Sequence, residues 1–295
     1  MTPSIQRTGS IHDTKKWKEF EVIDFKPKQF GDYDIDAKIE YCGVCGSDMH
    51  TLTGGWGDIT PPLIVGHETA GTAVTVGPKV KFIKVGDRVG VVGSCLECNR
   101  YKSDNENYCP SMIDTYNSKF PNGDIAHGGY STAIRAHEQF VFPIPDGLDL
   151  DNVAPMFCAG ITMFSPLKRH GAGPGKTVGI VGVGAKALGS DKVVVFSHST
   201  NKKNTADVAN VPLPLFLKTL RLHGKFLIVG VPDNKFEFHT MELMGNGGSI
   251  AATHIGSKKE ILEMLDLAKK KGVKSIIELY SSGCSTSASG SFFYW

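Results

Sequence analysis

Four side chains scattered through the sequence have the chemistry of a catalytic metal centre: Cys45, His67, Glu68 and Cys158. Thiolate, imidazole and carboxylate are the groups that a catalytic zinc takes from a protein, with one position left open. Such a centre polarises a carbonyl or lowers the pKa of a bound alcohol, which is Lewis-acid chemistry. Cys45 ends the turn YCGVC, and His67 sits in the glycine-flanked turn GHE. Taken singly, the same residues also read as two structural cysteines and a surface histidine. A second group, Cys95, Cys98 and Cys109, lies in SCLECNRYKSDNENYCP. C-x-x-C is half of a common zinc knuckle, but a closed structural site needs four ligands and this loop offers three thiolates. It reads equally as a weakened zinc site and as a loop that has lost its metal.

The elements that must position these residues change type along the chain. From Phe20 to about Gly93, short alternating runs punctuated by glycine, such as YDIDAKIEYCGVCGSD and FIKVGDRVGVVG, predict a β-rich unit. Asp124 to Pro145 continues it and ends on the strand-breaking prolines 143 and 145. A helical stretch is predicted from about Asp151 to Arg169. The Gly- and Pro-containing stretch HGAGPGK then leads into the continuous apolar run Val178 to Val183, a pattern of strands buried on both faces of a parallel sheet. Further strands are predicted in KVVVFS (192–197), KFLIVGV (225–231) and GSIAATH (248–254). Lys258 to Lys271 places Ile261, Leu262, Met264, Leu265 and Leu267 on one broad helical face, with lysines in the last turn.

Composition excludes several classes of function. The 295 residues are enough for about two domains. Hydrophobic and charged fractions of 41% and 21%, with 32 basic against 30 acidic residues, are ordinary for a soluble globular protein. Neither a nucleic-acid-binding polycation nor an acidic tail is visible. The N-terminal segment reads as neither secretory signal nor membrane anchor, and no window approaches the ~20 apolar residues of a transmembrane helix. Seven cysteines, most at short mutual spacing or beside His and Glu, favour metal binding in a reducing, cytoplasmic setting.

The stretches YCGVCGSDMH, PPLIVGHETAG, KVGDRVGV, SCLECNRY with NENYC, HGGYS, APMFCAGIT, GPGKTVGIVGVG, VFSHS with NKK, and THIGSKKE together resemble one family. It is the zinc-dependent alcohol dehydrogenases of the medium-chain dehydrogenase/reductase superfamily, in particular the cinnamyl alcohol dehydrogenase-like branch. The resemblance implies an α/β plus β architecture: a GroES-like β-rich catalytic domain over 1–160, then an incomplete Rossmann-type parallel-sheet domain over 161–275. A Ser- and Gly-rich tail over 276–295 follows, of a composition that favours flexible chain. It implies that Cys45, His67 and Cys158 bind the catalytic zinc, with Glu68 as an alternative ligand and Asp48 hydrogen-bonding His67. Ser47 and His50 match the family's proton relay. Trp56 falls near the substrate pocket, where it would suit apolar or aromatic aldehydes. The resemblance also implies that the third cysteine of the family's structural-zinc loop falls on Tyr101, with Cys95, Cys98 and Cys109 keeping the other three places. Apart from the resemblance, Ser47 and Asp48 could shape a turn, His50 could be a surface residue and Trp56 a core aromatic.

The cofactor half departs from its pattern. A dinucleotide site opens with a strand and then G-x-G-x-x-G at a helix N-terminus. Gly182 and Gly184 are present, and Ala187 takes the third place. Only eight residues, 184–191, separate two apolar strands, whereas a parallel crossover needs at least about 10 to 12. After Asn204 a helix and strands that the resemblance would imply are missing. Ser197, Ser199 and Lys202 follow the second strand, where hydroxyls and a lysine suit a 2′-phosphate, so NADP is preferred over NAD. The expected function is a zinc- and NADP-dependent alcohol dehydrogenase acting mainly as an aldehyde reductase on small-molecule substrates, with a possible homodimer through GSIAATH. Two alternatives stand beside it: a catalytically impaired zinc-binding remnant, and a polyol dehydrogenase.

Overall fold

The computed structural model describes residues 6–93, 95–96, 98–181, 193–196, 213–231 and 235–280. The first half contains β1 (Gln6–Ser10), β2 (Glu21–Phe25), β3 (Asp34–Gly43), α1 (Gly46–Leu52), β4 (Glu68–Val76) and β5 (Arg88–Val91). It continues with β6 (Ser118–Lys119), β7 (Ile125–Ala126), β8 (Ala133–His137), β9 (Val141–Pro143), α2 (Leu150–Val153) and α3 (Ala159–Arg169). Five of these strands form one antiparallel sheet in the order β8-β3-β4-β5-β9.

Period-2 alternation sorts this sheet's side chains into two cores. Val89, Val91 and Val141 join Ile35, Ala37, Ala73, Ile134 and Ala136 on one face. Val92 and Phe142 point the other way, into a core with Ala70, Val153, Met156, Phe157 and Ile161. Gly90 is required between them, because a Cβ there would lie 2.0 Å from the Phe157 ring. Two buried aspartates on β3 are matched to cations. Asp36 faces Arg135 across the β3–β8 ladder and receives its guanidinium at 2.6 and 2.9 Å, and Asp34 is ion-paired with Lys28. Directly opposed charges of opposite sign help fix strand register.

The second half contains β10 (Val178–Val181), β11 (Val193–Phe196), α4 (Leu213–Leu217), β12 (Lys225–Ile228), α5 (Met241–Met244), β13 (Ser249–Ala252) and α6 (Lys258–Lys271). β10 pairs with β11 and β12 with β13, both in parallel. Among the described residues these are two separate two-stranded sheets. Leu222, Val231, Met241, Met244 and Ile276 stand exposed around them. The glycines Gly182 and Gly184, the short 184–191 connection, and Ser197, Ser199 and Lys202 lie outside the described residues.

Helix α6 packs in an unexpected place. It falls inside the 161–275 interval expected for the second domain, yet Ile261, Met264, Leu265 and Ala268 bury into the core of Phe142, Phe157 and Ile161. The periodicity of the helix identifies the buried face but not the partner. Ala268 joins that face, while Leu267 is only half-buried. The helix starts at a capping box, in which the Ser257 hydroxyl accepts from the Glu260 N–H at 3.3 Å and Glu260 Oε2 accepts from the Ser257 N–H at 3.0 Å. Gly272, at φ +62°, ends it. Ser257→Ala should therefore lower stability by about 1 kcal/mol, read as a lower urea midpoint with an unchanged m-value.

Candidate functional site

Three elements converge on the predicted metal ligands. Strand β3 ends at Gly43, which lies opposite Glu68, the first residue of β4. Cys45 follows at the N-terminus of α1, and His67 directly precedes β4. Cys158 enters from the other side, at the junction between a 3-10 turn (Ala154–Phe157) and α3. One ligand atom from each of Cys45, His67, Glu68 and Cys158 lies within 4.8 Å of all the others. The two sulfurs are 3.9 Å apart, close to the ~3.8 Å edge that Zn–S bonds of about 2.3 Å make in a tetrahedron.

Two glycines make room for this convergence. A Cβ on Gly43 would lie 1.9 Å from Glu68 Oε2. Gly66, at φ +101°, turns the chain just before His67, and a Cβ there would meet Tyr130 at 2.6 Å and the Cys42 sulfur at 2.9 Å.

Asp48 holds the ligands in place. It is fully buried, at 0% exposure. Its Oδ1 lies 2.8 Å from His67 Nδ1 and accepts from the Gly66 N–H at 3.1 Å. Oδ2 accepts from the Cys45 N–H at 3.0 Å and the Tyr130 hydroxyl at 3.3 Å. With Nδ1 engaged by a carboxylate, Nε2 is the His67 nitrogen left for a metal. Burial alone would raise the Asp48 pKa, but the hydrogen bond and charge of His67 outweigh it and hold the carboxylate ionised. Burial likewise opposes protonation of His67, and its bonds to Asp48 and Cys45 reverse that, so its pKa rises.

The donor set fits a divalent cation. The hydrogen bond between the Cys45 and Cys158 sulfurs lowers the pKa of Cys45 and raises that of Cys158. Glu68 is 1% exposed, and its Oε2 is buried with no hydrogen-bond partner. Burial, then the negative charge of Cys45, pushes its pKa well up. A buried carboxylate oxygen without a donor is costly unless a cation balances it.

The remaining predicted residues are placed as follows. Ser47 and His50 lie on α1, three residues apart on one helical face. Trp56 was expected at the substrate pocket. It stacks on the His50 imidazole, with ring centroids 5.2 Å apart and planes within 11°, and stays 49% exposed. Cys95, Cys98 and Cys109 form the second thiol cluster, also within 4.8 Å of one another. Burial pushes the Cys95 thiol up, and a backbone hydrogen bond from Tyr101 holds Cys98 down. Tyr130 is a partner the sequence did not announce. It belongs to the HGGYS stretch, 82 residues from Asp48, and only the fold brings the two together.

Cysteine, histidine and glutamate donors gathered beside a five-stranded antiparallel sheet fit an alcohol dehydrogenase of the medium-chain type. Comparison agrees: the family model for the alcohol dehydrogenase GroES-like domain matches residues 31–146. The NADP-dependent alcohol dehydrogenase 6 of Saccharomyces cerevisiae is 36% identical over 93% of this chain and 89% of its own length. The 8-hydroxygeraniol dehydrogenase of Catharanthus roseus is 37% identical over 87% and 83%. Among solved structures, a cinnamyl alcohol dehydrogenase from Sorghum bicolor superposes with a TM-score of 0.84 at 28% identity, covering 93% of this chain and 90% of that one. The Helicobacter pylori enzyme, solved with NADP(H), gives 0.83 at 30% identity, over 94% and 91%. The chain belongs to the cinnamyl alcohol dehydrogenase-like branch of the zinc-type medium-chain alcohol dehydrogenases. The alignment with the yeast relative runs over 321 positions, more than the 295 residues available here, so it contains gaps in this chain.

Proposed function

We propose that this chain interconverts alcohols and aldehydes with NADP(H), working mainly as an aldehyde reductase, through a zinc ion at Cys45, His67 and Cys158 with Glu68 as alternate ligand. The observation that carries the reading is the convergence of those four donors around a buried, unpartnered Glu68 oxygen. A zinc ion there supplies Lewis-acid polarisation of the substrate oxygen, and a nicotinamide cofactor supplies the redox equivalents. The chain's own residues do the rest. Asp48 fixes the His67 tautomer and aim, and the Cys45 and Cys158 sulfurs hold negative charge out of solvent. Ser47 Oγ and the His50 imidazole pass the substrate proton outward, with Trp56 stacked against the His50 ring. NADP as the cofactor is supported by the yeast relative and by the Helicobacter pylori complex. We take residues 1–160 together with α6 as the catalytic unit, because α6 shares its core. A reducing cytoplasmic setting is supported by the six described cysteines, all free. No helix among the described residues is long and apolar enough to cross a membrane. A homodimer through the edge of β13 completes the reading.

A second reading, a zinc-binding chain without productive cofactor binding, is favoured by two features. One is that the two parallel strand pairs form separate sheets among the described residues, and the other is the gapped alignment. Fluorescence titration of zinc-quantified protein with NADPH, and with NADH as comparator, decides between the two. Saturable binding with NADPH preferred is the expected result, followed by turnover of cinnamaldehyde above sorbitol. Bound zinc without NADPH binding leaves the second reading in force, and turnover of sorbitol above cinnamaldehyde identifies a polyol dehydrogenase.

A further inference from the structure

The second thiol cluster does not fit a closed zinc site. Closed structural zinc takes four protein donors. Here there are three, and among the described residues no further Cys, His, Asp or Glu joins Cys95, Cys98 and Cys109. One pair in the cluster is also drawn together as a thiol–thiol hydrogen bond, tighter than two sulfurs sharing a zinc ion. Cys95 and Cys98 sulfurs are 3.1 Å apart, against the ~3.8 Å of a tetrahedral Zn–S edge and the 3.9 Å of the Cys45–Cys158 pair.

The same loop is fastened by other means. Residues 104–108 each contact α3 or the segment 254–259, far away in sequence. The Asn107 amide donates to the His254 carbonyl at 2.6 Å, and His254 Nδ1 lies 2.9 Å from the Asn107 carbonyl oxygen. Glu106 accepts from the Lys258 N–H at the start of α6. Lys259 reaches the Asp104 carboxylate at 3.2 Å. Arg169, on α3, donates to Asn105 Oδ1 at 2.5 Å and to the Asp104 carbonyl at 3.2 Å, while its guanidinium lies over the Tyr108 ring. Glu106 and Asn107 are 4% and 3% exposed, so their bonds are sheltered from competing water, while those of Asp104 and Asn105 are exposed.

We propose that residues 95–109 form a metal-free lobe, latched onto α3 and α6 through residues 104–108, and that the chain holds zinc at a single centre. The fastening that a metal would provide by joining three parts of the loop is provided by joining the loop to the helix pair. The count of one rests on the reading of the Cys45 centre, whereas the latch does not depend on it.

The test combines zinc counting with loop protection. Protein refolded or purified with excess zinc and then desalted should hold about one ion per chain by elemental analysis, and Cys98→Ser should leave that count unchanged. Tyr101→Cys should raise it to about two. The Tyr101 backbone N–H already lies 3.3 Å from the Cys98 sulfur, and a thiol at 101 would supply the fourth donor. Iodoacetamide should label Cys98 at the same rate with and without a chelator. Asn107→Ala should increase proteolytic cleavage within 95–109 roughly tenfold, the factor that a loss of about 1.4 kcal/mol of local stability gives. Lys259→Ala, at the exposed edge of the latch, gives a smaller increase in a chain whose core is untouched. Two zinc ions that fall to one in Cys98→Ser, or Cys98 labelling that needs the chelator, would overturn the proposal. A Tyr101→Cys chain that still holds one ion overturns the donor-count argument. Zinc-free wild-type protein with an intact, chelator-insensitive loop would instead sink the reading of the Cys45 centre and leave the latch standing.

Discussion

Asp48→Asn should weaken zinc binding by roughly 10- to 100-fold, the usual cost of losing a partner that orients a metal ligand. The expectation follows from the direction of every bond at this carboxylate. His67 Nδ1, the Gly66 and Cys45 N–H groups and the Tyr130 hydroxyl converge on it, and the Tyr116 hydroxyl adds a further bond. An ionised carboxylate accepts from all of them, whereas an amide accepts through one oxygen and presents two N–H bonds on its other side. Whichever way the amide turns, one pair of donors faces another donor. If the NH2 faces His67, the imidazole is driven to the tautomer with its proton on Nε2, and the nitrogen meant for the metal can no longer bind it. If it faces Cys45 and Tyr130, the turn that aims the Cys45 sulfur is disturbed instead. Competition with a chromophoric chelator reads the affinity directly. Unchanged zinc affinity in a folded Asp48→Asn chain would mean that Asp48 does not position the centre. Asp48→Ala removes the charge and its bonds together, and about 3 kcal/mol or more of stability should go with them, as when a buried pair loses one partner.

How much of this was legible in the sequence depended on the distance over which each feature is determined. Strands β3 to β5 show their alternation locally, and α6 carries its period, its Ser257–Glu260 capping box and its terminal glycine within 16 residues. The four candidate metal donors were legible by residue type and by resemblance, but their convergence was not legible by spacing, since Cys45 and Cys158 are 113 residues apart. What could not be read was which surface meets which. The pattern of α6 says that Ile261, Met264 and Leu265 are buried, but nothing local says that Phe157 and Phe142 bury them. The latch has the same character, since the Asn107–His254 bonds span 147 residues. Trp56 shows another limit. Its type suits an apolar pocket, but nothing in its own stretch says that the turn following α1 lays its ring on His50.

The joint between α3 and α6 should fail in a pH-dependent way when Glu260 is changed. Its side chain is 7% exposed and takes both arms of the Arg169 guanidinium, at 2.8 and 2.9 Å, with Arg169 keeping 25% exposure. It also accepts from the Ser165 hydroxyl at 3.0 Å and caps the first turn of its own helix. Glu260→Ala should cost about 3 kcal/mol near neutral pH. That is the low end of the range for breaking a buried pair, because Arg169 is partly solvated and can recover some hydration. Burial opposes the charged form of Glu260, but the Arg169 and Ser257 hydrogen bonds outweigh it and lower its pKa in the folded protein. A carboxylate with a depressed folded pKa stabilises the fold above its unfolded pKa, near 4.3, and loses that contribution as pH falls through the folded value. The stability gap between the native chain and Glu260→Gln should therefore be full at pH 7 and shrink below about pH 4.3. Urea melts of both proteins at a series of pH values measure it. A gap that stays constant across that window would mean that the capping and packing of Glu260, which Gln largely keeps, carry the joint, and that its charge does not.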